Sequence, residues 1–169
     1  LSIYFIHGNR DFLLGSEFEK NTGLRIIDDM TVIKDSGISL MIAHGDSFCT
    51  DDIEYQALKK SLRSEEWKKD FLQKPIAERI AFADDLRAKS AESSSNKAEN
   101  IMDVNQSYVA EVIEKHKIDF LIHGHTHRPA IHKLDNGSSR VVLGSWEDEG
   151  WVAEYLSLIH ISEPTRRLN

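Results

Sequence analysis

Side chains that commonly bind metal ions follow three separate apolar segments of this sequence. Asn9 comes shortly after the first segment, His44 directly follows the second, and His125 and His127 come shortly after the third. In open α/β sheets, ligands bind at the carboxyl ends of the strands, so we expect these side chains to lie close together. Imidazole nitrogens combined with amide or carboxylate oxygens suit divalent ions such as Mn, Fe, Co or Zn. The pattern therefore predicts a divalent metal site.

The local spacing supports this convergence. Side chains two residues apart in an extended segment point to the same side, so His125 and His127 can face one pocket. Gly45 and Gly124 lie beside histidines and give the backbone freedom to turn these side chains inward. Taken singly, a histidine is more often a core or surface residue, and pairs at this spacing also arise by chance. The repeated order of apolar strand, then Asn or His, with a glycine alongside, is what favours a metal site.

The strands that must position these residues are predicted from short apolar runs bounded by turn residues. Asp35-Ser36-Gly37 indicates one hairpin, and Asp135-Asn136-Gly137 carries the Asn-Gly signal of a second. Residues 120–122 form a short buried strand that runs directly into His123. The predicted strands are 2–6, 24–27, 30–33, 38–43, 120–122, 130–134 and 139–143.

Helical spacing dominates the region between His44 and His123. Apolar residues recur three or four apart from about 52 to 89, and Pro75 is expected to open a new helix there. Ala91–Ala98 is rich in Ser and Asn and is expected to break the pattern. Two further helices are predicted, at 16–21 before Gly23 and at 104–115. The result is a mixed α/β protein with a helical insertion.

The composition is that of a soluble globular protein. The chain has 169 residues, and 21 Lys+Arg against 28 Asp+Glu give a net charge of −7. This acidic balance argues against a general nucleic-acid-binding protein, which carries a basic surface. Cys49 is the only cysteine, so an internal disulfide and a cysteine-rich zinc site are excluded. No apolar run approaches the roughly 20 residues that span a bilayer, and we expect a cytoplasmic protein.

Both ends of the chain have unusual features. The first predicted strand begins almost at Leu1 and has the composition of a fully buried strand, which needs neighbours on both sides. We therefore expect a preceding segment. Residues 156–166 match the translation of a transposon-type sequencing adapter, so we expect the natural sequence to end near Tyr155 and 156–169 to be a non-native tail. The alternative is a genuine terminal strand.

Three short motifs of this sequence resemble those of a known superfamily. Gly8-Asn9-x-Asp11, His44-Gly45-Asp46 and Gly124-His125-Thr126-His127 resemble the last three motifs of the calcineurin-like metallophosphoesterases. That resemblance implies a four-layer α/β sandwich with a two-metal site. The superfamily's first two motifs, Asp-x-His and Gly-Asp, lie N-terminal to the Asn motif, and neither precedes Asn9 in these 169 residues, so the resemblance implies a partial domain without its N-terminal strands.

The residues that flank these motifs extend the resemblance to one particular family within the superfamily. Within the superfamily, the chain resembles the UDP-2,3-diacylglucosamine diphosphatase family of lipid A biosynthesis from about residue 2 to 150. Arg10, which stands where the general superfamily motif has His, marks this branch. The implied organisation is a partial metallophosphoesterase domain over 1–155 with a helical insertion at about 52–100. The segments that carry the narrower resemblance are 5–15, 49–52, 101–106, 121–130 and 141–146.

The resemblance also implies a reaction and a ligand set. Asn9, His44 and His125 would bind one divalent ion, and His127 would help bind a second. The resemblance implies Mn²⁺ at both positions. A metal-bridging hydroxide would be the nucleophile, so no side chain is assigned that role. It would hydrolyse the pyrophosphate bond of UDP-2,3-diacylglucosamine to UMP and 2,3-diacylglucosamine 1-phosphate (lipid X). Cys49 is then a structural residue.

Substrate positions of the family map onto seven residues of this sequence. Arg10 offers a planar guanidinium suited to phosphate oxygens, and Lys97 offers a point charge. Ser94 departs from a known member of the family, which has Asn there. For Ser90 and Ser94 a flexible polar loop is an equally good interpretation. The implied substrate-binding residues are Asn9, Arg10, Asp52, Ser90, Ser94, Lys97 and His125.

The predicted helical insertion is more apolar than a surface linker requires. Its apolar side chains could line a groove for acyl chains, or they could simply pack on the sandwich. The lipid substrate implied by the resemblance predicts peripheral association with the cytoplasmic face of the inner membrane of a Gram-negative bacterium, with no nucleic-acid partner. The apolar residues are Trp67, Phe71, Leu72, Ile76, Ile80 and Phe82.

Two other functions are compatible with the motifs. A related metallophosphoesterase could act on a nucleotide or a phosphodiester, although Arg10 and the apolar insertion argue against it. A metal-binding fragment without catalysis is the other alternative. Because the superfamily's first two motifs do not precede Asn9 here, we expect the 169 residues by themselves to be inactive or nearly so.

Overall fold

The structure is a computed structural model, and it describes residues 1–96, 101–146, 149–156, 160–161 and 165–168. The chain divides into two compact units, one made of Leu1–Phe48 with Asn105–Asn169 and the other of Cys49–Val104. The described helices are α1 (Ser16–Thr22), α2 (Ile53–Leu62), α3 (Glu65–Leu72), α4 (Ile76–Asn96) and α5 (Gln106–His116). The described strands are β1 (Tyr4–Ile6), β2 (Arg25–Ile27), β3 (Thr31–Asp35), β4 (Ile38–Ala43), β5 (Phe120–His123), β6 (Ala130–Lys133), β7 (Ser139–Val142), β8 (Glu149–Val152), β9 (Tyr155–Leu156), β10 (His160–Ile161) and β11 (Thr165–Leu168).

A five-stranded sheet in the order β3-β4-β5-β7-β6 forms the centre of the first unit. The predicted hairpins are confirmed, because β3 pairs antiparallel with β4 and β6 pairs antiparallel with β7. The strands β4, β5 and β7 are parallel neighbours, so β4 and β5 end at the same edge of the sheet. This arrangement confirms the mixed α/β fold and brings His44 and His123 to one edge.

Alternating side chains bury both faces of the central strands. Leu40, Ile122 and Val141 form one hydrophobic cluster. Met41 and Leu121 are fully buried and alternate with members of that cluster along β4 and β5. In a strand, successive side chains point to opposite faces of the sheet. Burial of both kinds of position explains why these strands are continuous apolar runs rather than alternating ones.

The first strand is less buried than its sequence predicts. Ile3 and Tyr4 are 53% and 55% exposed, and only Phe5 and Ile6 of this run are half-buried. The reason is that β1 pairs with a single neighbour, β2, in a separate parallel two-stranded sheet. The prediction of a fully buried strand is therefore wrong for this chain.

The short helix α1 ends where the sequence predicts. Gly23 has φ 74° and donates its N–H to the carbonyl of Glu19, which is the usual left-handed termination of a helix. An L-residue other than Asn would be strained there, so the glycine sets the end of the helix.

The second unit contains three consecutive helices. Asp52 and Ser64 cap α2 and α3 with their side chains. Pro75 precedes α4, as predicted, and its carbonyl accepts a hydrogen bond from Arg79 N at 3.1 Å. None of the helices in the described residues is long and apolar enough to cross a membrane.

The end of α4 differs from the prediction. The helix continues to Asn96, through most of the Ser- and Asn-rich segment that was expected to break it, and only residues 97–98 of that segment lie outside the described residues. Helix propensities differ by only about 0.7 kcal/mol per residue among ordinary residues. Extending a formed helix adds one hydrogen bond per residue without a new nucleation cost. A 21-residue helix therefore passes through a weakly unfavourable segment.

Candidate metal centre

The loop after β1 approaches the loop after β4 very closely. A β-carbon added to Gly8 would lie only 3.2 Å from Cε1 of His44 and 3.4 Å from Oδ1 of Asp11. The Gly8 N–H donates to that Asp11 oxygen at 2.5 Å, which closes the loop. Asn9 and Arg10 follow Gly8 and are exposed. The absence of a side chain at Gly8 thus allows the Asn9 loop to pack on the His44 imidazole.

The backbone at His44 is held by a carboxylate that the sequence analysis did not single out. Asp29 lies between β2 and β3, and its Oδ1 accepts the His44 N–H at 2.8 Å. The other oxygen of Asp29 accepts the Ser47 hydroxyl. One side chain therefore binds both ends of the His44–Ser47 turn and fixes the position of the His44 backbone at the end of β4.

The third segment is bound to the second through the backbone. Gly124 N donates to the His44 carbonyl at 3.0 Å, and Thr126 N donates to the Gly124 carbonyl at 2.8 Å. The imidazole rings of His44 and His125 lie edge to face, with 5.0 Å between their centroids. The structure thus brings His44 and His125 together, as the sequence predicts.

The backbone conformation that achieves this differs from the predicted one. His125 and His127 have φ values of 65° and 53°, so the segment is not extended. Gly45 does use its conformational freedom, with φ 118°, whereas Gly124 does not have a positive φ. Left-handed φ values in residues other than glycine cost free energy and concentrate at functional sites. The strain falls on the histidines themselves.

The structure brings only some of the metal ligands implied by the resemblance close together. His44 and His125 are neighbours, and the Asn9 loop packs on His44 through Gly8. His127 lies exposed two residues beyond His125. Within the described ranges, no group of three or more His, Cys, Asp and Glu side chains is arranged to hold a metal. Two imidazoles together with an amide oxygen such as that of Asn9 would nevertheless be a donor set that suits a divalent transition metal, and the individual ligand assignments stay predictions.

A buried histidine and arginine lie next to this turn. His123 and Arg140 are 1% and 3% exposed, and Nη1 of Arg140 lies 3.2 Å from Nε2 of His123. The sequence analysis missed Arg140. A charged residue inside the apolar strand Ser139–Val142 was the signal that could have revealed it, since buried charges are rare without a partner.

The residues implied to bind substrate lie in both units. Arg10 is exposed in the Asn9 loop, and Ser90 is exposed on α4. Ser94 also belongs to α4, but its side chain lies outside the described residues, as does Lys97 altogether. Asp52 is half-buried and its Oδ1 accepts the Tyr55 N–H at 3.1 Å.

Asp52 therefore has a structural role that asparagine can also fill. We expect Asp52→Ala to lower the free energy of unfolding by about 1 kcal/mol and Asp52→Asn by only a few tenths, because Asn and Asp cap helices equally well. Urea unfolding measures both. Ser64→Ala, which removes the cap of the next helix, is the matched control and should resemble Asp52→Ala. Equal losses in the Asn and Ala variants would contradict the capping role.

Comparison with known proteins identifies the fold. The family model of the calcineurin-like phosphoesterases matches residues 1–129, which contain all three ligand motifs. The chain belongs to the calcineurin-like phosphoesterase family. Calcineurin-like phosphoesterases use divalent metal ions, which agrees with the imidazole pair. The predicted superfamily is therefore confirmed.

Curated members of this calcineurin-like phosphoesterase family include close relatives of the chain. Proteins of Escherichia fergusonii, Escherichia coli O7:K1 and Escherichia coli K12, each named UDP-2,3-diacylglucosamine hydrolase, are 44% identical to it over 164 residues. Each alignment covers 93% of this chain and 68% of the relative. The chain thus spans about two thirds of the length of these relatives.

Proposed function

We propose that this chain belongs to an enzyme that hydrolyses the pyrophosphate bond of UDP-2,3-diacylglucosamine in lipid A biosynthesis. The products would be UMP and 2,3-diacylglucosamine 1-phosphate. The observation that carries the proposal is the 44% identity, over 93% of the chain, to relatives named for that substrate. The convergence of His44 and His125 at the sheet edge supports it, since the reaction is a metal-dependent hydrolysis.

The proposed ligands are Asn9, His44 and His125 for one divalent ion and His127 for a second, with Mn²⁺ as the proposed metal. Two such ions lower the pKa of water and neutralise phosphate charge. The described residues of this chain hold the proposed ligands in position. The Asp29 carboxylate fixes the His44 backbone, and the Gly124 N–H ties the His125 turn to the His44 carbonyl.

Arg10 is proposed to bind the pyrophosphate. It is exposed and follows Asn9 directly, so its guanidinium can reach a phosphate bound at the metal ligands. A guanidinium presents several donors in a plane and forms bidentate hydrogen bonds with phosphate oxygens. We propose Ser90, Ser94, Lys97 and Asp52 as further substrate contacts.

The apolar side chains of the second unit support a lipid substrate. Trp67 and Phe71 stack with 4.5 Å between ring centroids, and Phe82 lies 5.1 Å from Phe71 and 5.7 Å from Trp67. These aromatic residues therefore pack on one another. Ile76 and Ile80, by contrast, are 67% and 56% exposed, and Leu72 is also exposed. We propose that the exposed aliphatic residues meet acyl chains at the cytoplasmic face of the inner membrane.

Release of UMP tests the proposal. The chain should be joined to an N-terminal segment that carries the family's Asp-x-His and Gly-Asp motifs, and supplied with Mn²⁺ and UDP-2,3-diacylglucosamine. We expect UMP release that a chelator abolishes and little turnover of nucleotides or phosphodiesters without acyl chains. Faster turnover of those simple substrates would favour a general phosphoesterase. No turnover of any substrate would favour a metal-binding protein without catalysis.

Arg10→Met in the same protein tests the phosphate contact. Loss of a charge-assisted hydrogen bond costs about 1.5–3 kcal/mol, so kcat/KM should fall by roughly 10- to 100-fold. Arg25→Met removes another exposed arginine of the same unit and should leave kcat/KM unchanged. Equal effects of the two substitutions would remove Arg10 from the proposed site.

A further inference from the structure

Arg140 and His123 lie on neighbouring parallel strands and on the same face of the sheet. His123 on β5 pairs with Val142 on β7, and Arg140 lies two residues before Val142, so strand alternation places it on the same side. The two side chains meet at 3.2 Å, and the ring of Phe48 lies 5.9 Å from that of His123. Both polar residues are almost fully buried. The sheet thus contains a cation directly against the imidazole that begins the His123–His127 segment.

The chemistry of this contact fixes the proton on His123. A guanidinium has donors and no acceptor, so the His123 Nε2 that faces Arg140 must be the accepting nitrogen. The proton of the neutral imidazole is then on Nδ1. His123 Nδ1 lies 2.9 Å from the Gly124 carbonyl, which accepts the hydrogen bond that this proton donates.

Both the carbonyl and the N–H of Gly124 are consequently hydrogen-bonded. Its carbonyl accepts from His123 Nδ1 and from Thr126 N, and its N–H donates to the His44 carbonyl. His125 follows at once with φ 65°. A left-handed residue persists only where the surroundings hold it in place. The contacts on Gly124 supply that restraint.

We propose that Arg140 is a positioning residue which, by holding His123 with its Nδ1 proton toward the Gly124 carbonyl, fixes the turn that presents His125. The part that concerns metal binding rests on the proposed function, because it takes His125 as a ligand. The part that concerns the turn rests only on the contacts of Arg140, His123 and Gly124. Outer contacts of this kind typically change metal affinity by about 10- to 100-fold.

Nitrogen NMR of the metal-free full chain tests the turn. We expect His123 to carry its proton on Nδ1 in the unsubstituted protein and in Arg140→Lys, which keeps a cationic donor. In Arg140→Met the ring is no longer held at Nε2 and can turn away from the Gly124 carbonyl, so we expect both tautomers to become populated and the Gly124 and Thr126 amides to exchange roughly tenfold faster or more. Lys133→Met, which removes a cation from the neighbouring strand β6, is the control and should change neither readout. An unchanged proton position and unchanged exchange in Arg140→Met would overturn the proposal.

Titration of the same variants with Mn²⁺, in the protein that carries the family's N-terminal motifs, tests the consequence for metal binding. Affinity should fall about 10- to 100-fold in Arg140→Met and recover in Arg140→Lys. Failure of that protein, without substitutions, to bind Mn²⁺ would contradict the proposed function, while the NMR result would still decide the role of Arg140. Should Arg140→Met not fold, His123→Asn and His123→Phe replace it. Asn keeps a donor near the Nδ1 position and should preserve slow exchange at Thr126, whereas Phe should not. Equal exchange in the two would overturn the proposal.

Discussion

Replacing His125 by alanine is expected to lower the rate of UMP release on the order of 10³-fold, in the protein that carries the family's N-terminal motifs. The substitution removes one of the two imidazoles that meet at 5.0 Å between ring centroids at the end of the parallel strands. A catalytic metal contributes several kcal/mol of transition-state stabilisation, and each 1.36 kcal/mol corresponds to a tenfold change in rate. His125→Ala should also weaken Mn²⁺ binding.

Steady-state release of UMP and Mn²⁺ titration measure this effect. His116→Ala is the matched control, since His116 is an exposed histidine in the last turn of α5 within the same unit. It should leave both the rate and the metal affinity unchanged. A His125→Ala variant with more than a tenth of the original rate at saturating Mn²⁺ would contradict the assignment of His125 as a ligand.

Gly45→Ala is expected to cause the largest loss of stability among single substitutions of this site. A β-carbon at Gly45 would lie 2.8 Å from the Gly124 carbonyl oxygen, 2.8 Å from Nδ1 of His123 and 3.1 Å from Cβ of His125. The residue also has φ 118°, which alanine rarely adopts. Strain and overlap together should lower the free energy of unfolding by about 3 kcal/mol or more.

Chemical unfolding of the alanine variants separates the two causes. Gly137 has a similar positive φ of 87°, but a β-carbon added there would have no atom of the described residues within 4 Å, beyond its chain neighbours. Gly137→Ala should therefore cost only the backbone strain, about 1–2 kcal/mol. Equal losses at the two positions would show that the close approach at Gly45 contributes nothing.

The positions of the ligand segments could be predicted from the sequence, and their conformation could not. His44 and His125 follow apolar runs, and parallel strands end at one edge of a sheet. Their proximity therefore follows from the order of the strands and from the apolar pattern that marks them. The turn that contains His125 also makes contacts with distant parts of the chain, from Gly124 N to the His44 carbonyl and from His123 to Arg140. Local spacing suggested an extended segment because it contains no information about those partners.

The same distinction explains two further structural predictions that were wrong. The first strand is apolar, yet it is partly exposed because its burial depends on the number of neighbouring strands and not on its own composition. The helix α4 continues to Asn96 because cooperative extension outweighs small differences in propensity. In both cases the local preference of the sequence, apolar composition or helix propensity, had a smaller effect than the structural context of the segment.

By itself, the sequence determined the α/β class, the hairpins, the helix ends at Gly23 and Pro75, and the family, because each of these depends on short-range patterns or motifs. Only the tertiary structure revealed Asp29 beneath His44 and Arg140 beside His123. These pairs are 15 and 17 residues apart in the chain, and strand pairing alone brings them into contact. Hydrogen bonds act over about 3 Å, so the groups that hold the candidate ligands become identifiable only when the register of the sheet is known.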